Sequence, residues 1–141
     1  MALPETRWIQ RFDNFKKALG HLEHLVIKAN SETATMYDEA LVVKYFEMTY
    51  ELSWNLLKDY LEWQGATDKA GGSRDTFRLA FSLGYITDGE LWTKMIEDRN
   101  KATHIYDEEV AIYVSNGVSD LYIDKFRELK DTFEKILREL K

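Results

Sequence analysis

Along the first thirty residues, Trp8, Phe12, Phe15, Leu19, Leu22 and Val26 are separated by alternating fours and threes, with polar residues filling most of the gaps. This spacing predicts a helix from about Pro4 to Ala29, with one apolar seam that packs lengthwise against other helices. Pro4 suits a first helical turn, and Asn30-Ser31 is the expected break. The next segment, from about Tyr37 to Gln64 with Gly65 as its stop, is apolar on more than one side. Leu41, Tyr45, Met48, Leu52 and Leu56 form one row, and Phe46, Tyr50, Trp54, Leu57 and Leu61 form another. Lys44, Glu47, Glu51, Asn55, Lys58 and Glu62 make the only clear polar stripe. A helix this apolar needs two neighbours, so it is central to the fold or shared with a second chain.

Lys69-Ala70-Gly71-Gly72 reads as a flexible connector. Ser73 is the expected N-cap of a short helix from Arg74 to Leu83, and Gly84 ends it. Thr87-Asp88-Gly89-Glu90 has the form of a capping box opening a fourth helix through Leu91, Trp92, Met95 and Ile96. Asp107 is the expected cap of the last helix, with Glu108 and Glu109 favourable near the positive end of its dipole. In that helix Tyr122, Phe126, Leu129, Phe133, Ile136 and Leu140 repeat the four-three spacing, and Gly117 is expected to bend or weaken the first half. No segment alternates with period two between hairpin turns. The pattern predicts an all-α fold, an up-and-down helical bundle of four main helices plus a short extra helix, with residues 1–141 forming one domain.

Composition sharpens this picture. The 141 residues are 45% hydrophobic and 31% charged, which favours a packed core over disorder. The one proline is Pro4, so the rest of the chain is free to be helical. The absence of cysteine excludes disulfides, thiolate metal sites and cysteine nucleophiles. No histidine and carboxylate spacing suggests a metal, and no cofactor is expected. A formal charge of −6 counts against broad binding to nucleic-acid backbones but leaves room for a local basic site. No apolar run is long enough for a bilayer, and Met1-Ala2-Leu3-Pro4-Glu5 lacks the character of a signal peptide. The expectation is a cytoplasmic protein with no membrane partner.

Chemistry concentrates at one helix junction, Asp98-Arg99-Asn100-Lys101-Ala102-Thr103-His104-Ile105-Tyr106-Asp107. Arginine holds phosphate bidentately, and histidine serves as acid or base near neutral pH. On an unbroken helix, five residues turn about 500°, which would leave Arg99 and His104 about 140° apart. They converge only if the helix ends between them or a second chain completes the site. The alternative at this point is a plain helix end, with Arg99 paired to a carboxylate and His104 satisfying free carbonyls.

The pattern Arg-Asn-x-x-x-His-x-Tyr, at Arg99, Asn100, His104 and Tyr106, resembles the signature of the HEPN superfamily. The stretches 46–54, 56–62 and 72–78 resemble one of its branches, the nucleotidyltransferase substrate-binding proteins, and the likeness runs from about Trp8 to Leu137. It implies a mainly four-helix, usually homodimeric protein that partners a separately encoded minimal nucleotidyltransferase, in some pairs as toxin and antitoxin. Other HEPN branches are metal-independent ribonucleases whose motif arginine and histidine act on the scissile phosphate across a dimer interface. In some pairs the nucleotidyltransferase adenylylates the motif tyrosine, which is Tyr106 here.

Two readings of function follow. In the first, the chain is a binding subunit that docks on the nucleotidyltransferase and presents or binds the acceptor of the nucleotide. Arg99, Asn100, His104 and Tyr106 would then hold a nucleotide or RNA ligand, with Glu47, Glu51 and Arg74 as further contacts. In the second, it is a ribonuclease using Arg99 and His104. The Gly-Ser and paired aspartates of minimal nucleotidyltransferases are missing, so the chain is not expected to transfer nucleotides by itself. Gly71-Gly72-Ser73-Arg74, with Arg78, is a second candidate for an anion, although any turn into a helix needs similar residues. Glu47 and Glu51, one turn apart, could receive Arg99 or a substrate amine, or form a solvated or ion-paired stripe; His21 and His24 are read as surface residues, and the four tryptophans as core or interface packing.

Overall fold

The computed structural model describes residues 4–67 and 71–140. The signal-peptide reading at 1–3, and Lys69 and Ala70 of the expected connector, lie outside them. Six helical segments follow in order: α1 (Pro4–Ala29), α2 (Met36–Trp63), α3 (Ser73–Ser82), α4 (Gly89–Lys101), α5 (Glu108–Gly117) and α6 (Ile123–Leu140). A 3₁₀ turn at Ala102–His104 follows α4, and a π-helical stretch at Val118–Tyr122 joins α5 to α6. There is no strand among the described residues. The fold is an all-α helical bundle.

The seams lie where the spacing puts them. Trp8, Phe12, Phe15, Leu19 and Leu22 of α1 are buried against α2 and α6, together with Phe126, Leu129 and Phe133. Trp8 and Phe133 meet at 5.8 Å between ring centroids, and both pack edge-on against Tyr60. Burial of these large aromatics is a substantial part of the apolar driving force. On α2, Phe46, Tyr50, Leu57 and Leu61 are buried. In the other row, Leu56 is buried and Tyr45 and Leu52 pack partly against the core, while Leu41 and Met48 stay 44% and 42% exposed.

The helix ends match the expectations in part. Asp107 caps α5, its carboxylate accepting the Glu109 N–H at 3.0 Å. Gly65 and Gly84 adopt φ of +74° and +83° past the ends of α2 and α3, a region open to glycine at little cost. A capping box that the sequence reading missed opens α2: Thr35 accepts from the Tyr37 N–H, and Asp38 accepts from the Thr35 N–H.

Two expected caps are corrected. Gly72, not Ser73, is the N-cap of α3; Ser73 is its first residue, and its hydroxyl accepts the Tyr50 phenol at 2.8 Å. The box at Thr87–Glu90 does not form. Asp88 caps α4 in the left-handed region at φ 60° with no side-chain bond, and Thr87 turns to Glu128 of α6 instead, donating at 3.1 Å. A tertiary partner has displaced the local one in both cases.

The last helix begins and ends as expected, and Gly117 stands where its regular ladder changes. The backbone stays right-handed helical through Gly117 and Val118, and the ladder widens to the π form directly after the glycine. The extra residue in this turn brings the buried Tyr122 hydroxyl onto the carboxylate of Asp98, itself 2% exposed. A Cβ on Gly117 would lie 3.3 Å from the Tyr122 ring. Burial, reinforced by the Asp98 hydrogen bond, pushes the Tyr122 phenol far above its ordinary value and keeps it a neutral donor.

Candidate functional site

Asp98 and Arg99 are adjacent on α4, so their side chains leave the helix in different directions. Asp98 is directed inward to Tyr122, with Lys101 3.6 Å away across one helical turn. Arg99 reaches α2, where its guanidinium lies 3.4 Å from Glu51. The Trp54 indole donates to the other oxygen of Glu51 at 3.0 Å. Glu51 is thus fixed between an indole and a guanidinium, and it aims Arg99 along the surface of α2. The Arg99 Nε is buried and has no partner, which leaves a donor in place for an incoming acceptor.

Arg99 and Glu51 form a partition between two open clefts. On one side is a cleft of about 450 Å³ lined by Tyr50, Trp54, Ser73, Arg74, Arg99 and Asn100, among others. On the other is one of about 410 Å³ lined by Ala18, Glu47, Met48, Leu52 and Arg99. Arg99, Asn100, Arg74, Glu47 and Glu51 therefore gather where α2, α3 and α4 meet. Burial raises the Tyr50 phenol above its usual range and favours its role as a neutral donor to Ser73.

His104 and Tyr106 lie beyond the end of α4. The helix stops at Lys101, between Arg99 and His104, and the 3₁₀ turn redirects the chain. The His104 Nδ1 and the Tyr106 hydroxyl are 2.9 Å apart, on a tyrosine that is 82% exposed. Neither residue lines either cleft. In a single chain the motif is thus split into a guanidinium at a cleft and an imidazole–phenol pair on the outer junction. His21 and His24 are exposed. Sequence reasoning missed Trp54 as part of the site; the Glu51–Trp54 spacing of three on one helix was the available signal. Among the described residues no cluster of histidine and carboxylate groups is placed to hold a metal, and no helix is long and apolar enough to cross a membrane.

A similar arrangement of helices recurs in known proteins. Residues 10–135 match the family described as nucleotidyltransferase substrate binding protein like, and the chain belongs to this family. A Haemophilus influenzae protein described as probable ribonuclease HepT is 34% identical over 85 residues, which span 58% of each chain. A structure from Haemophilus influenzae, described as revealing the fold of a substrate-binding domain of a nucleotidyltransferase, superposes with a TM-score of 0.79 at 24% identity. It covers 87% of this chain and 98% of that one. A tri-AMPylated Shewanella oneidensis HEPN toxin, solved in complex with an MNT antitoxin, superposes with a TM-score of 0.72 at 18% identity. It covers 91% of this chain and 96% of that one. At these identities, the two structures establish the shared fold.

Proposed function

We propose that this chain is the helical partner of a separately encoded minimal nucleotidyltransferase, that Tyr106 is the acceptor of the nucleotide, and that the unmodified chain is a metal-independent ribonuclease. The observation that carries the proposal is the exposed Tyr106 hydroxyl held 2.9 Å from His104 Nδ1. In nucleotidyl transfer the phenol oxygen attacks the α-phosphorus of a nucleoside triphosphate, pyrophosphate leaves, and the phenol proton passes to a base. A side chain this exposed is within reach of a separate enzyme. The Shewanella neighbour supports the pairing, because that toxin is AMPylated and bound to an MNT antitoxin. The likeness to the probable ribonuclease supports the cleavage activity.

In cleavage, the RNA 2′-hydroxyl attacks the adjacent phosphorus and the 5′-oxygen of the next nucleotide leaves, giving a 2′,3′-cyclic phosphate and a 5′-hydroxyl. Arg99 offsets charge on the phosphate, and His104 moves the proton through Nε2, since Nδ1 is turned to Tyr106. An AMP group on Tyr106 places a bulky anion directly beside that imidazole. Arg99 and His104 would be completed as one site by a second copy docked on α2 where Leu41 and Met48 are exposed, Met48 lining one of the Arg99 clefts. A large uncovered apolar face is uncommon on a monomer.

Two measurements follow. Light scattering at micromolar concentration is expected to give about twice the 16.6 kDa chain mass, and a clean monomer would remove the basis for a shared site. The purified chain is expected to cleave single-stranded RNA in EDTA, leaving 2′,3′-cyclic phosphate ends, and to lose this activity once a minimal nucleotidyltransferase with ATP adds one AMP mass to Tyr106. If the wild type shows no cleavage but accepts AMP at Tyr106, the binding-subunit role alone stands, an outcome that the Arg99–Glu51 pair would favour by neutralising the guanidinium.

A further inference from the structure

A third cleft, of about 670 Å³, lies between α3 and the start of α4. Its walls include Arg74, Phe77, Arg78, Phe81 and Glu90. Arg74 also lines the cleft that contains Arg99 and Asn100, so the two depressions meet at one side chain. Arg74 and Arg78 stand one turn apart on the exposed face of α3, and neither has a hydrogen bond or ion pair with another described residue. Next along the helix, Phe81 is 50% exposed although it is a large aromatic beside a cleft. Two guanidiniums with no ion pair among the described residues, followed by a half-exposed ring, stand out on a chain whose formal charge is −6.

The geometry points to a binding track for a single RNA strand, running from Arg99 through Arg74 and Arg78 to Phe81. This inference rests on the ribonuclease reading and extends it to how the substrate is held. Side chains four apart on a helix are neighbours, so Arg74 and Arg78 present successive cations to successive phosphates, each able to engage one bidentately. The Phe81 ring offers a stacking surface for a base, a sequence-tolerant contact found in single-strand binding grooves. Glu90, on the opposite wall and without an ion pair among the described residues, accepts exocyclic amines of cytosine or adenine. Asp88 in the same cleft is already directed to Lys125, 3.9 Å away. The acidic balance of the rest of the surface then confines phosphodiester binding to this track.

The test is fluorescence anisotropy with a fluorescein-labelled, 2′-O-methyl single-stranded RNA of twelve nucleotides, which the chain cannot cleave, at 50 to 200 mM NaCl. Wild type is expected to bind. Arg74→Gln/Arg78→Gln is expected to weaken binding about tenfold or more at the lowest salt, and to flatten the slope of log K against log salt by about 1.4, from two lost phosphate contacts on a single strand. Phe81→Ala is expected to weaken binding with no change of slope. All three side chains are exposed, and an unchanged circular dichroism spectrum checks the fold. The inference is overturned if wild type does not bind the strand, or if the double variant keeps the wild-type affinity and slope. Cleavage by wild type with the same KM in the double variant would remove the track and leave the ribonuclease reading intact. Binding lost with the two arginines, in a wild type that cleaves nothing, would remove the ribonuclease reading and leave the track.

Discussion

His104→Ala is expected to reduce RNA cleavage by about 10²- to 10⁴-fold, the usual contribution of a positioned general acid–base, with no measurable loss of stability. His104 sits in the 3₁₀ turn after α4, is exposed, and contacts Tyr106 rather than the core. Its removal takes away chemistry without opening a cavity. Arg99→Ala is expected to reduce cleavage by about 10²- to 10³-fold, on the scale of losing one preorganised stabiliser of transition-state charge. Arg99→Lys should recover little of this, because an ammonium is a point charge without the planar fork of a guanidinium. Single-turnover cleavage rates, with circular dichroism melts of each variant, check both expectations. Cleavage by the His104→Ala chain within threefold of wild type would show that the imidazole does not carry the proton.

The readability of this molecule from its sequence was uneven for physical reasons. The long seams of α1 and α6 were legible because each repeats one apolar spacing over several turns, and no nearby polar group competes with it. The cap at Asp107 was legible because its partner, the Glu109 N–H, is two residues away. Ser73 and Thr87 were misread because their hydroxyls are spent on tertiary partners, Tyr50 and Glu128, at separations of 23 and 41 residues. The motif from Arg99 to Tyr106 could be located from residue types. Glu51 receiving Arg99 was among the open readings; that the helix end after Lys101 still leaves His104 outside the Arg99 clefts was not legible, because it depends on how the 3₁₀ turn packs. The third cleft was half visible: Arg74 and Arg78 stood out as a candidate for an anion, whereas nothing in the sequence marked Phe81, whose 50% exposure is set by the packing.

The largest effects on stability are expected at Asp98 and Tyr122. The two are 24 residues apart in sequence, both buried, and hydrogen-bonded where the π-helical stretch meets the end of α4. Tyr122→Phe leaves an Asp98 oxygen buried without its donor, while Lys101 stays 3.6 Å from the other oxygen; the expected cost is about 1–3 kcal/mol. Asp98→Ala orphans the Tyr122 hydroxyl and also leaves a void, so about 2–4 kcal/mol is expected. If the bond is the common cause, the double variant should lose less than the sum of the singles, with a coupling of about 1–3 kcal/mol. Urea denaturation followed by circular dichroism measures all three. The pH dependence gives an independent check. The folded state holds the Tyr122 phenol above its unfolded value, so it binds this proton more tightly than the unfolded chain does. That contribution is fully present below about pH 10 and declines as pH rises above the unfolded value. Wild type should therefore lose stability more steeply above pH 10 than Tyr122→Phe, and parallel alkaline limbs would show that burial and Asp98 together do not hold the phenol neutral in the folded state. Because Asp98 precedes Arg99 on the last turns of α4, loosening this anchor should also let the Arg99 guanidinium drift from Glu51, lowering cleavage through a less ordered arginine rather than through the loss of any reacting group.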